Sequence, residues 1–165
     1  MKVIGVDPGL NTTGYGVIEF HNKQVFLLDA GVIRGGGAEL PLEERLQNIY
    51  QGMMEVLAEH HPDALAVEQL YSHRGYRMTS VLMGHARGVI CLAAARNGVP
   101  VYSYSATQIK NSLTGVGRAS KEQMQRMIQH RLGLHTVPVP HDMADALAVA
   151  LCHCSIMTGP VLAKL

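Results

Sequence analysis

Val3-Ile4-Gly5-Val6-Asp7-Pro8-Gly9-Leu10-Asn11-Thr12-Thr13-Gly14-Tyr15-Gly16-Val17-Ile18-Glu19-Phe20 decides the fold. Its first five residues are an apolar run closed by a carboxylate. Pro8 to Thr13 is rich in turn formers, and Gly14 to Phe20 returns as a second run, so the segment reads as a β-hairpin. Val25 to Ile33 forms a third run, after which Gly35-Gly36-Gly37 ends the sheet in a flexible loop. Consecutive runs of this kind predict an antiparallel start.

Beyond Pro41 the period changes. Leu42, Leu46, Ile49, Met53 and Leu57 recur every three or four residues with Glu43, Glu44, Gln47 and Glu55 between them, the pattern of an amphipathic helix. Pro62-Asp63 breaks it, and Ala64-Leu65-Ala66-Val67-Glu68 is apolar without alternation, as in a strand buried on both faces. Met78 to Asn97 reads as a helix, Val99 to Tyr104 as a strand, and Ala106 to Leu113, Lys121 to Leu132 and Asp142 to Met157 as helices. The order predicts an α/β fold, a mixed five-stranded sheet with helices on both faces. The helix-to-strand crossovers put Asp7 and Glu68 together at the C-terminal ends of their strands, where open α/β sheets carry their sites.

A carboxylate at the end of a buried strand is costly to desolvate unless it is paired or bound to a cation. Asp7 and Glu68 occupy such positions, and Asp142 and Asp145 open an otherwise apolar helix with a spacing that puts both on one face. Other readings stand beside this one. Asp-Pro-Gly is a common turn, and Asp142 after Pro140-His141 would serve as a helix cap with Asp145 as a first-turn acid. Nothing in turn or cap chemistry calls for Glu68. All four acids together point to a hard divalent cation, Mg2+ above all, and to phosphodiester hydrolysis.

At 165 residues, with 47% hydrophobic and 16% charged content, the chain is expected to be one globular domain over residues 1–165. No apolar run approaches the roughly 20 residues that span a bilayer, and Met1-Lys2 leads directly into a strand. A cytoplasmic protein is expected. Cys91, Cys152 and Cys154 form no disulfide framework, and Cys152-His153-Cys154 lacks the spacing and fourth ligand of a zinc site. The net charge of +1 conceals an asymmetry: Tyr71 to Arg131 holds nine basic residues and one acid, and the remainder five basic and twelve acidic. A basic segment beside an acidic pocket suits a polyanion whose scissile phosphate must meet a cation, although a solvated helix face would show the same charges. Tyr71-Ser72-His73-Arg74-Gly75-Tyr76-Arg77 interleaves rings with cations, as in loops that stack on exposed bases, although a Tyr after a strand is often packing alone. His60, His61 and His130 read as helix-end residues without a special role.

Asp7 to Gly16, Ala66-Val67-Glu68-Gln69 and His141-Asp142-Met143-Ala144-Asp145-Ala146-Leu147-Ala148 resemble, in order and spacing, the site motifs of the RuvC family of Holliday junction resolvases. Gly84 to Val89, Gln108-Ile109-Lys110 and Gly115 to Lys121 extend the likeness over nearly the whole chain. The resemblance implies a ribonuclease H-like fold, a homodimer, and Mg2+-dependent paired nicking of four-way DNA junctions with 5′-phosphate and 3′-hydroxyl products. It further implies two cations per subunit, with Mn2+ as a possible substitute, and a complex with the RuvA-RuvB branch-migration motor. By the same likeness Asp7, Glu68, Asp142 and Asp145 are the metal-binding and catalytic acids, and Lys121 is a catalytic lysine. The family position matching Asp142 is His or Asp, and this chain offers both His141 and Asp142. The expected DNA contacts are Tyr71, Arg74, Tyr76, Arg77, Lys110, Arg118 and Lys121.

Rival readings remain at this level. A nuclease of the YqgF type, acting on ribosomal RNA precursors, shares the strand-end Asp and Glu. Asp7-x-Gly9-x-x-x-Thr13-Gly14 is also similar to the phosphate loop of actin-like kinases, which need two such halves. A DNA-architecture module would use the acids only as caps and turns.

Overall fold

The computed structural model describes residues 1–70 and 77–159. Its elements are β1 (Lys2–Asp7), β2 (Thr12–His21), β3 (Gln24–Arg34), α1 (Leu42–His60), β4 (Ala64–Glu68), α2 (Arg77–Arg96), β5 (Val101–Tyr104), α3 (Ala106–Thr114), α4 (Lys121–Arg131) and α5 (His141–Thr158). The strands form a five-stranded sheet in the order β3-β2-β1-β4-β5. β1, β2 and β3 pair antiparallel, whereas β4 and β5 join parallel to β1 and β4 through helical crossovers. The mixed sheet expected from the sequence is therefore the one observed.

Strand parity sorts the core onto two faces. Ile4, Val6, Val17, Leu65 and Val67 turn to one side, where they meet Ile49, Met53 and Leu57 of α1 and Ala86, Ile90, Ala93 and Ala94 of α2. Val3, Ile18, Ala66 and Tyr104 turn to the other, against α3, α4 and the buried length of α5. The zigzag that places Val3 on the α5 face carries Gly5 and Asp7 there too, and the register does the same for Ala66 and Glu68.

α5 lies almost in contact with the sheet backbone. A β-carbon at Gly5 would overlap the Ala146 carbonyl, one at Gly14 the Asp142 carbonyl, and one at Gly16 the Leu147 side chain. In the register Gly14 is opposite Asp7 and Gly16 opposite Gly5, so these glycines form a flat patch of the β1–β2 ladder. Ala144, Ala146, Ala148 and Ala150 give α5 a correspondingly low relief. This seam was not legible in the sequence, where Gly14-Tyr15-Gly16 passes for ordinary hairpin glycine.

Boundaries shift where hydrogen-bond chemistry dictates. β5 begins at Val101 rather than Val99: Pro100 has no N–H to donate, and its carbonyl accepts from Leu65 N. α3 and α4 open on capping boxes, Ser105 with Gln108 and Ser120 with Gln123. His60 is more than a helix-end residue: its Nε2 stands 3.1 Å from Asp29 Oδ2, which also accepts from Tyr15 Oη at 3.0 Å. Cys91, Cys152 and Cys154 are free thiols, and burial pushes the Cys154 thiol up to about 12. Among the described residues no helix is long and apolar enough to cross a membrane.

Candidate active site

Asp7 ends β1 and Glu68 ends β4, parallel neighbours whose last residues leave the sheet on the α5 face. α5 then delivers Asp142 and Asp145. Its N-cap is Pro140, which offers no side-chain cap bond, so Asp142 lies inside the first turn and the capping alternative for it fails. Asp145 is one turn further along, where neither capping nor the orphan N–H groups give an acid a structural purpose.

The electrostatics show that the acids sense one another. The Asp7 carboxyl is pushed up from its ordinary 3.8 to about 7, first by burial and then by the charges of Asp145, Asp142 and Glu68, with Lys121 opposing. Glu68 is also raised, by burial and then Asp145, against Lys110. Mutual repulsion of this kind marks a site built to receive positive charge. The donors are all carboxylate oxygens, the set that suits a hard divalent cation. Among the described residues, no three His, Cys, Asp or Glu side chains are already drawn together as ligands of one ion. The fit to a cation therefore rests on donor chemistry and unrelieved charge.

Clefts open on several sides of the cluster. One of about 290 Å³ is lined by Glu68, Lys110, Lys121 and Asp145, with Ile109, Met124 and Val149 as its floor. A second, about 450 Å³, runs past Asp7, Pro8, Glu68 and Gln69 to Met83 of α2 and Ser105 at the start of α3. A third, about 370 Å³, joins Asp142 to the β1–β2 turn and to Arg45 of α1. Lys121 Nζ stands 3.6 Å from Asp145 Oδ2, both half exposed.

Of the expected site residues, the fold thus gathers Asp7, Glu68, Asp142, Asp145, Lys110 and Lys121. His141 Nδ1 lies 3.0 Å from Gln125 Nε2 on α4, whereas the Asp142 charge is one of those that raise the Asp7 carboxyl. Arg118 is exposed and lines none of these clefts. Tyr71, Arg74 and Tyr76 lie outside the described residues, and Arg77 is the first residue of α2. Arg45 and the glycine seam were missed at the sequence level. The only available signal for Arg45 was a cation on an otherwise acidic first turn.

This geometry agrees with the comparisons to known proteins. Residues 3–153 match the family model described as crossover junction endodeoxyribonuclease RuvC. The chain belongs to the RuvC family. It is 48% identical over 159 residues to the RuvC of Rhodopirellula baltica, covering 96% of this chain and 89% of that one. The Thermus thermophilus RuvC structure superimposes with a TM-score of 0.88 at 37% identity, covering 96% of this chain and 97% of that one. The same protein in complex with Holliday junction substrate gives 0.90 at 37% identity, covering 95% of this chain and 94% of that one. The ribonuclease H-like α/β fold expected from the motifs is confirmed, and the chain is an enzyme of a metal-dependent nuclease family.

Proposed function

We infer that this chain resolves four-way DNA junctions by paired, symmetric, metal-dependent nicks. The observation that carries this reading is the convergence of Asp7, Glu68, Asp142 and Asp145 at the C-terminal ends of β1 and β4, with Asp7 driven up to about 7 by burial and by the other acids. Asp7, shared between Glu68 on one side and Asp142 and Asp145 on the other, would hold two Mg2+ ions, Mn2+ being a possible substitute. Such ions supply an activated water and charge stabilisation for the departing 3′ oxygen, leaving ligatable 5′-phosphate and 3′-hydroxyl ends.

The protein's own contribution is position and charge. Lys121, on the rim of the Asp145 cleft, neutralises charge that builds on the phosphate, and Lys110 performs the same service beside Glu68. Tyr71, Arg74, Tyr76 and Arg77, in the segment that follows Glu68, act on the strands at the junction centre, and Arg118 on an outer phosphate.

Two symmetric cuts need two sites on a two-fold axis, so the working unit is a homodimer. α2 supports this: Val81, His85, Gly88 and Leu92 form an exposed stripe, while Ala86, Ile90, Ala93 and Ala94 pack inward. Residues 1–165 act as one domain in the cytoplasm, together with the RuvA-RuvB motor.

The test uses a synthetic four-way junction and a linear duplex of equal length, with Mg2+ or EDTA, and Glu68→Gln beside the unmodified protein. Paired, ligatable junction nicks that need both Mg2+ and Glu68 are expected. Cleavage of RNA instead would move the reading to a YqgF-type nuclease, and junction binding without cleavage under any metal would overturn it.

A further inference from the structure

Arg45 is a cation that shares a cleft with Asp142 and that the fold pairs with no acid among the described residues. It belongs to the first turn of α1 and lines the cleft shared by Gly9, Asn11, Thr12, Met83 and Asp142. Its Nη2 donates to Asn11 Oδ1 in the β1–β2 turn, while its Nε is buried and has no hydrogen-bond partner. Among the described residues it forms no ion pair, the pairs there being His60 with Asp29 and Lys121 with Asp145. A half-buried guanidinium without an anion keeps a desolvation cost that an incoming anion would relieve.

Its position says which anion. Lys110 and Lys121 flank the cluster on the Glu68–Asp145 side, and Arg45 flanks it on the Asp142 side. A strand whose scissile phosphate lies over the acids must carry its neighbouring phosphates away across both rims. The planar fork of Arg suits a phosphate better than the point charge of Lys does, and Asn11 already fixes one arm of that fork. We propose that Arg45 binds a non-scissile phosphate of the DNA strand on the Asp142 side, with Asn11 as its positioning residue. This rests on the junction-nuclease reading above.

A purely structural Arg45, one that only holds the β1–β2 turn, predicts something different, and salt dependence separates the two. Junction affinity is measured by fluorescence anisotropy in EDTA over a salt series, for the unmodified protein, Arg45→Gln, Asn11→Ala and a control at the exposed β2–β3 tip, Lys23→Ala, with thermal melts of each. Arg45→Gln should weaken binding severalfold and lower the slope of log affinity against log salt by about 0.9, the release of one contact. Asn11→Ala should weaken binding with the slope unchanged, and Lys23→Ala should do neither. Equal weakening by Arg45→Gln and Asn11→Ala, with both slopes unchanged, would overturn the proposal while leaving the nuclease reading intact. A protein with no junction affinity at all overturns both.

Phenylglyoxal labelling of the unmodified protein needs no variant. Junction DNA should protect Arg45 from modification, as read by mass spectrometry, and labelling unaffected by DNA would refute the contact.

Discussion

Gly14 has no room for a side chain because the carbonyl of Asp142 occupies the place its β-carbon would take. The same glycine is the cross-strand partner of Asp7, so one bare position in β2 sets the distance between the strand-end acid and the helix-borne one. The obstruction is backbone, which cannot rotate away as a flexible side chain would. Gly14→Ala must therefore push the first turn of α5 off the sheet. Overpacking of this kind costs about 1–3 kcal/mol, and a displacement of about 1 Å at a reacting centre costs on the order of a hundredfold in rate. Junction cleavage should fall by roughly that factor while circular dichroism still reports a folded protein, and cleavage at the normal rate would refute the seam as the element that sets the site.

Asp7→Asn should abolish cleavage and yet stabilise the metal-free protein. The folded carboxyl is raised to about 7 from 3.8, so between those values the folded state binds more protons than the unfolded one and stability falls as pH rises. Above about 7 the penalty is complete, amounting at full weight to about 4 kcal/mol and, with partial access of water, to about 2 kcal/mol. In EDTA the variant's melting temperature should exceed the unmodified protein's by about 4–8 °C at pH 8, with the gap shrinking as pH falls towards 4. A gap of constant size across that range would mean that ionisation of the buried Asp7 carboxyl is not its origin.

Lys121→Ala separates a catalytic lysine from a structural one. The Lys121–Asp145 pair is half exposed at 3.6 Å, and pairs of that kind contribute about 0–1 kcal/mol. Melting should thus barely change. Loss of a positive charge facing the scissile phosphate should slow cleavage on the order of 10²-fold at saturating DNA, with partial recovery in Lys121→Arg. If the rate and the melting temperature fall together, the lysine is holding structure.

What the sequence made legible follows from what each feature depends on. The strand-end acids Asp7 and Glu68 stood out because burial makes a carboxylate anomalous after Val6 or Val67, a local contradiction visible without coordinates. Element order and sheet type followed from periodicity in the same way. The Gly5–Gly14–Gly16 seam did not, because a glycine needed for close approach looks the same as one needed for a turn until the partner helix is placed. Arg45 was hidden for a related reason: its neighbours Asn11 and Asp142 are distant in sequence. His141 and Asp142 could not be told apart without the helix rotation, which sets the first against Gln125 and brings the charge of the second to bear on Asp7.

The buried pair of Tyr104 and His153 ties β5 to α5, with Tyr104 Oη 2.7 Å from His153 Nδ1 and Tyr102 tilted against the same imidazole. Tyr104→Phe removes the hydroxyl and leaves a buried nitrogen unsatisfied, at a cost of about 1–3 kcal/mol. Burial also holds the imidazole below its ordinary 6.5, so the folded state binds fewer protons than the unfolded one as pH drops past that value. Stability should decline as the pH falls below about 6.5, and His153→Phe should flatten that decline in chemical denaturation series. A His153→Phe curve parallel to the unmodified protein's would assign the pH response to other groups.

Leu92, 54% exposed on the outward stripe of α2, tests whether paired cutting needs a dimer. An acid at the centre of an apolar contact must be desolvated without a partner, a cost of several kcal/mol that a modest interface cannot absorb. If the proposed dimer packs along this stripe, the unmodified chain should sediment as a dimer and Leu92→Asp as a monomer at the same concentration. It should fold normally, because the side chain faces solvent in the protomer and the inward residues Ala86, Ile90, Ala93 and Ala94 are untouched. On a supercoiled plasmid carrying a cruciform, two linked sites give linear product directly, whereas independent sites give nicked circles first. Accumulation of nicked circles by a folded, monomeric Leu92→Asp would place the two-fold axis along α2. Linear product at the normal rate from a proven monomer would show that symmetry is not what couples the cuts.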